Sequence, residues 1–187
     1  MSFNSMELKL RDEDNPATYD IFSALDQTAR TWHGITGHGD DVYACDGAFV
    51  YKQTNGEGDF EETTFPNLEW RDLVSANGNL YGCAYNDSIY IMDTELFSVQ
   101  QQGGPTEEQW TGMTEDNGDV YACVHQGLIH KQTAGEGSFI PIHAQVRDWG
   151  SMAVKNGVVY GVNASYFMVF DESISDFIAV PGFPDNV

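Results

Sequence analysis

Positive charge is what this chain has least of: eight Lys and Arg stand against 29 Asp and Glu in 187 residues, a formal net charge of −21. Such a surface repels phosphate backbones and anionic lipid headgroups, which argues against nucleic acid and membrane as partners. It also keeps a protein soluble at high local concentration. Long apolar runs are missing as well. The longest is about six residues, where a membrane-spanning helix needs about 20, so no membrane insertion is expected. The opening "MSFNSMELKLRDEDNP" has no apolar core like that of a signal peptide, and the chain reads as one made and folded in a cytoplasm. Nowhere does the 3.6-residue apolar period of a long helix persist. What is there, 41% hydrophobic and 13% aromatic residues, is ample for one globular core.

Cysteine is scarce and its placement is informative. Cys45, Cys83 and Cys123 close the same phrase, "VYAC", "LYGC" and "VYAC", and a fourth copy, "VYGV", puts Val162 in that slot. A slot that accepts Cys or Val is a small apolar packing site, because free Cys behaves as a small hydrophobe. Metal ligation or disulfide pairing would not tolerate Val. The odd count and the lack of Cys-x-x-Cys spacing agree, so all three are expected to be reduced and buried.

The repeated phrase belongs to a longer period. Trp32, Trp70, Trp110 and Trp149 are separated by 38, 40 and 39 residues. Each opens the same grammar: a short apolar stretch ("WHGIT", "WRDLV", "WTGMT", "WGSMA"), a Gly/Asn/Asp turn, the "VYAC" phrase, a polar turn, and a second apolar stretch ("FVYK", "SIYIM", "LIHK", "YFMVF"). A last strand follows ("DFEETTF", "LFSVQ", "SFIPI", "DFIAV"). Asn-Gly and Asp/Gly turns between short β-branched and aromatic runs are hairpin punctuation. The reading is an all-β, four-bladed β-propeller of four-stranded repeats of about 39 residues, since one such sheet cannot bury both faces alone. A β-sandwich is the alternative, but nothing in it calls for so regular a period. The blades are expected over about 32–69, 70–109, 110–148 and 149–187. Units one and three share "DVYAC", "KQT" and "GEG"; units two and four share "YG" and a third strand ending in Asp. The order is A-B-A-B, and a closed ring would put residues 41–54 and 119–133 on opposite sides. The propeller takes in 19–187, with "YDIFSALDQTARTW" before the first unit resembling a spare fourth strand. Residues 1–18 read as an N-terminal arm.

Chemistry-bearing residues are few. The four tryptophans offer indole faces on which sugars stack, yet a Trp at one place in every blade is also the knob that sets blade spacing. Acidic turns ("DEDN" at 12–15, "GDD" at 39–41, "EGDFEE" at 57–62, "TEDNGD" at 114–119) lack the full spacing of a calcium loop. His33, His38, His125, His130 and His143 show no metal-ligand spacing. His130 stands where the other copies are read to have Tyr51, Tyr90 and Val169, a strand-packing position. Asp40/Asp41 and Glu61/Glu62 are adjacent, so their side chains point apart rather than facing one sugar as a glycosidase pair would. Lys52 and Lys131, in "KQT", are expected to pair with neighbouring acids. No catalytic residue, cofactor or metal is assigned, and the chain is read as no enzyme.

The phrases "DVYACDGAFVYKQTNGEGDF", "WTGMTEDNGDVYACVHQGLIHKQTAGEGSF" and "LDQTARTWHGI" resemble a repeat of structural and tail-associated proteins of tailed bacteriophages. The resemblance covers about residues 19–187 and is strongest in units one and three; "IYIMDTELFSV" and "MVFDESISDF" depart from it by losing Lys-Gln-Thr. It implies a non-enzymatic virion component in tail, baseplate, fibre or decoration, made in the host cytoplasm and present in multiple copies beside other virion proteins, with host adhesion through surface glycan as an extension. Phe3, Met6, Leu8 and Leu10 of the arm are the expected partner anchor, filling alternate pockets along a neighbour's sheet edge. A looser similarity to tectonin-type lectin propellers carries the alternative, a free glycan-binding module.

Overall fold

The computed structural model describes residues 30–163 and 166–180. The arm 1–18, with Phe3, Met6, Leu8 and Leu10, and residues 19–29 of the strand phrase that begins at Tyr19 and ends at Trp32 lie outside the described residues. Sixteen strands run through the described chain in four successive groups of four. Unit one holds β1 (Gly34–His38), β2 (Asp41–Cys45), β3 (Val50–Gln53) and β4 (Glu61–Glu62). Unit two holds β5 (Trp70–Ala76), β6 (Asn79–Asp87), β7 (Ile89–Asp93) and β8 (Ser98–Gln101). Unit three holds β9 (Glu108–Asp116), β10 (Asp119–Val124), β11 (Ile129–Thr133) and β12 (Glu136–Pro141); unit four holds β13 (Trp149–Lys155), β14 (Val158–Asn163), β15 (Tyr166–Asp171) and β16 (Asp176–Ala179). Within each unit the strands pair antiparallel in chain order. The fold is all-β. β6 overruns its unit and pairs with β9, Tyr85 opposite Gln109, which fuses the sheets of units two and three.

The first hairpin of units two, three and four turns on Asn-Gly, and both residues take positive φ: Asn77 and Gly78, Asn117 and Gly118, Asn156 and Gly157. That is the geometry whose twist matches a right-handed strand pair. Register then fixes which residues correspond. Gly34, Asp72, Gly112 and Ser151 of the first strands lie opposite Cys45, Cys83, Cys123 and Val162. On the third strands, Tyr51, Tyr90 and His130 lie opposite Ala44, Gly82 and Ala122, and Met168 lies opposite Gly161. The counterpart of His130 in unit four is therefore Met168, not Val169. A slip of one residue reverses the face a side chain occupies, and Met168 is the buried one.

β1, β5, β9 and β13 pack side by side as the inner strands, and three apolar layers separate consecutive units. Tyr43, Cys45 and Val50 of unit one meet Trp70, Leu73, Leu80 and Met92 of unit two. Tyr81, Cys83 and Ile89 meet Trp110, Met113 and Val120. Tyr121, Cys123 and Ile129 meet Trp149, Met152 and Val159. Polar stitches tie the hairpin tips across the same junctions: His38 Nδ1 lies 2.9 Å from Ser75 Oγ, Asn77 Nδ2 donates to the Gly118 carbonyl at 2.6 Å, and the Gly157 N–H donates to Asp116 at 2.5 Å. The three thiols are free and fully buried; burial pushes Cys45 up to about 12 and Cys123 to about 11. Among the described residues no fourth layer joins unit four back to unit one. The described chain is a stack of four units with two uncovered ends.

Candidate functional site

Along a strand, side chains alternate faces. Near the start of the inner strands of units two, three and four, Trp enters an interface layer and the residue after it faces the other way. The residues after the four tryptophans, His33, Arg71, Thr111 and Gly150, line a cavity of about 470 Å3 together with Trp32, Tyr85 and His125. All four units contribute to it. Trp32, 40% exposed, meets Tyr51 edge-on at 5.3 Å and Phe60 at 5.6 Å. The Arg71 guanidinium lies 4.7 Å over the Tyr85 ring and pairs with Glu69. His125 Nδ1 is 2.6 Å from an oxygen of Asp148, and the Thr111 hydroxyl donates to the Trp149 carbonyl at 3.1 Å. An open indole beside guanidinium, imidazole and hydroxyl groups can hold a polar ring by stacking and hydrogen bonds.

Deeper on the inner strands sits Asp72. Its carboxylate accepts the Leu73 N–H at 2.9 Å and the Met113 N–H at 2.8 Å. Burial pushes it up to about 6 against those two hydrogen bonds. Two smaller grooves, about 380 and 300 Å3, open at the hairpin side of the one–two and three–four junctions. The aspartates there are engaged: Asp93 takes the Glu95 N–H, Asp116 the Gly157 N–H, and Asp119 Lys131 and the Ala134 N–H.

The residues singled out from sequence fall in separate places. Trp70, Trp110 and Trp149 are buried in the three layers, where no sugar reaches them; Trp32 alone of the four is open. Lys52 pairs with Asp41 at 2.6 Å and Lys131 with Asp119 at 2.6 Å. The Lys52 ammonium, with the Asn55 N–H, holds Asp41 below the usual carboxylate range. Glu61 and Glu62 are exposed on β4. His130 is buried against Trp110, ring centroids 5.2 Å apart, and desolvation together with nearby His143 lowers it to about 4. Among the described residues no group of three His, Cys, Asp or Glu is arranged to hold a metal ion. Arg71, Tyr85, Thr111 and Asp72 escaped sequence reasoning. The usable signal was positional: the residue after each Trp.

Neither a family model nor a curated protein matches the chain. Its fold does match many solved, β-propeller-like structures. The computationally designed Ika4 protein superposes with TM-score 0.61 at 11% identity, over 78% of this chain and 94% of its own. The designed Ika8 protein gives 0.62 at 11%, over 85% and 52%. Apo AztD from Citrobacter koseri gives 0.55 at 17%, over 83% and 48%. The chain spans from about a quarter to three fifths of the longer structures it matches.

Proposed function

We propose that this chain is a non-enzymatic structural protein of a tailed-bacteriophage particle, a tail, baseplate, fibre or decoration component that contributes four propeller blades per copy. What supports the reading is that the residues carrying the resemblance form one physical device, twice. In "DVYAC…KQT…GEG", Asp41 and Asp119 each bind a Lys (Lys52, Lys131) and cap the next turn through the Asn55 and Ala134 N–H groups at 3.0 and 2.8 Å. Gln53 and Gln132 donate to the Gly58 and Gly137 carbonyls at 2.5 and 2.7 Å. Each Lys also lies over a Tyr of its own unit, Tyr43 or Tyr121. The Asp, Lys and Gln of the phrase are thus engaged in holding a hairpin, as suits a scaffold repeat. In this reading the partners are other virion proteins, several copies share an assembly, and residues 1–18 anchor each copy. Mass spectrometry of purified particles should find the chain in multiple copies, and deleting 1–18 should abolish incorporation while leaving the melting temperature nearly unchanged. Particles lacking the chain altogether sink the assignment.

A second reading, a glycan-binding module, is favoured by one observation: Trp32 opens onto the cavity with Arg71, Tyr85 and Thr111. A glycan array on the wild type beside Trp32→Ala tests it. Binding that survives the substitution removes this site from consideration.

A further inference from the structure

We infer that two copies of this chain join head to tail, unit four of each seated on unit one of the other, closing one ring of eight units. The inference rests on reading the units as propeller blades, not on the particle assignment.

Each internal junction uses the same parts. The incoming unit presents its Trp and the apolar residue three positions on. Trp70, Trp110 and Trp149 are at most 1% exposed, and Leu73, Met113 and Met152 at most 8%. In unit one the same two positions are Trp32 and Ile35, 40% and 66% exposed. The receiving unit presents the Tyr of its "VYAC" phrase: Tyr43, Tyr81 and Tyr121 are at most 5% exposed, whereas Tyr160 of unit four is 41% exposed. The sequence repeats these parts in all four copies, so both halves of a fourth junction exist, at opposite ends of the stack and unmated among the described residues.

The open end of unit four is also more apolar than an ordinary outer face. Tyr160, Val169 and Ile178 lie opposite one another across β14, β15 and β16. Val158 occupies the place of Asp41, Asn79 and Asp119, and Val169 that of Lys52 and Lys131. Unit four thus has no Lys–Asp clip on the face that unit three, its A-type neighbour, carries beside Tyr121. An apolar face of this kind on so acidic a protein marks an interaction site. A surface of the same make as the three internal front faces fits it, and unit one of a second copy carries that surface.

The count of two is the smallest that mates every open front with an open back, since among the described residues the stack does not close on itself. A head-to-tail contact that closes gives a discrete ring, where one that does not close gives filaments. Each copy carries a net charge of −21, so salt should favour assembly by screening the repulsion.

Sedimentation and light scattering on the full chain should give one species of twice the chain mass, tighter at higher salt. Ile35→Lys and Tyr160→Lys, both at side chains already open to solvent, should each halve the mass while leaving circular dichroism and melting of the single chain intact. Mixing the two variants should restore a two-copy species, because one native front and one native back remain to form a single junction. A monomeric wild type overturns the inference, as does a species of three or more copies. A monomer whose small-angle scattering fits the four-unit arc would leave the blade reading standing; a helical circular dichroism spectrum would remove that reading itself. Should either variant unfold, the other and the mass of the wild type still decide.

Discussion

Units two and four differ from units one and three by more than wording, and the differences interlock. In "VYAC" the second strand of units one and three carries Ala44 and Ala122; in units two and four it carries Gly82 and Gly161. There a Cβ would lie 2.8 Å from the Trp70 ring and 2.4 Å from the Trp149 ring. On the inner strand the order reverses. Units one and three have Gly34 and Gly112, units two and four Asp72 and Ser151, and a Cβ on Gly34 would sit 2.7 Å from the Asp72 Cα. On the third strand the first kind places Lys and Gln where the second places Ile91 and Met92, or Val169 and Phe170. The second kind ends that strand instead on Asp93 or Asp171, whose side chains accept N–H groups two residues on at 2.9 Å. Small meets large at each place, so the packed repeat is a pair of units. A single unit is not interchangeable with its neighbour.

The largest test of this contrast is at Asp72, which stands where units one and three have glycine. Its pKa is raised by burial to about 6. A carboxyl that holds its proton more tightly folded than unfolded favours the fold most below the unfolded value, and loses that contribution as pH climbs from about 4 to about 6. The swing is up to about 3 kcal/mol at 1.36 kcal/mol per unit. His130 works the other way: lowered to about 4, it weakens the fold as pH falls from about 6.5 to about 4. The two offset one another in the wild type. Asp72→Asn should therefore expose a loss of stability on acidification, and His130→Phe a gain. Urea midpoints from pH 4 to 7.5 measure both, and parallel curves for wild type and Asp72→Asn would refute the buried charge.

Next in size is Gly161→Ala, which writes the "VYAC" alanine into a unit of the other kind. The added methyl meets the Trp149 ring, wedged against His143 and Phe177 at 5.7 and 4.8 Å. Overpacking of this sort costs about 2 kcal/mol. The reciprocal Ala122→Gly should cost about 1 kcal/mol, chiefly through backbone entropy. If both are neutral, the alternation of Ala and Gly has no packing cause.

Much of this was legible before any coordinates. Tryptophan spacing, Asn-Gly turns and the "VYAC" phrase marked the strands, and the Cys/Val slot marked a buried position. The fourth unit's third strand was placed one residue out, because five residues separate Cys123 from Ile129 but only four separate Val162 from Phe167, and alignment by apolar character absorbs that difference. The mouth at Arg71 and Tyr85 was hidden since its residues share a location but no residue type. The uncovered ends were hidden for a different reason: Tyr160 reads like Tyr81, and only the absence of a neighbouring layer distinguishes them.

Gln132→Met converts a buried third-strand residue of unit three to its unit-two counterpart. The Gln132 amide donates to the Gly137 carbonyl at 2.7 Å and, at a long 3.4 Å, to Gln102 Oε1, but its own oxygen has no partner. Substitution loses one good hydrogen bond and one weak one and removes one orphan acceptor, while Gly137 is exposed and can turn to water. The net cost should be about 1 kcal/mol, the usual worth of one such bond. A chemical melt resolves it, and a loss of about 3 kcal/mol or more would mean the amide organises the hairpin beyond that bond.

The smallest effect belongs to the clip itself, which the sequence advertises most loudly. Lys131→Met should cost about 0.5 kcal/mol or less, and Lys52→Met the same, because each ion pair is partly open to water and such pairs contribute little. The side chains are 28% and 25% exposed, their Asp partners 24% and 22%. Methionine keeps the apolar stem over Tyr121 or Tyr43 and discards only the charge, which matches what Ile91 does over Tyr81 in unit two. The Asp side chains retain their turn-capping hydrogen bonds from Asn55 and Ala134, so the hairpins should persist. Thermal melts at low and high salt measure the pair: the deficit of either variant should shrink as salt screens the wild-type attraction. A deficit that is larger than about 2 kcal/mol, or that does not respond to salt, would show that the Lys holds its unit by packing, and the two kinds of unit would then differ in more than how they fasten one hairpin.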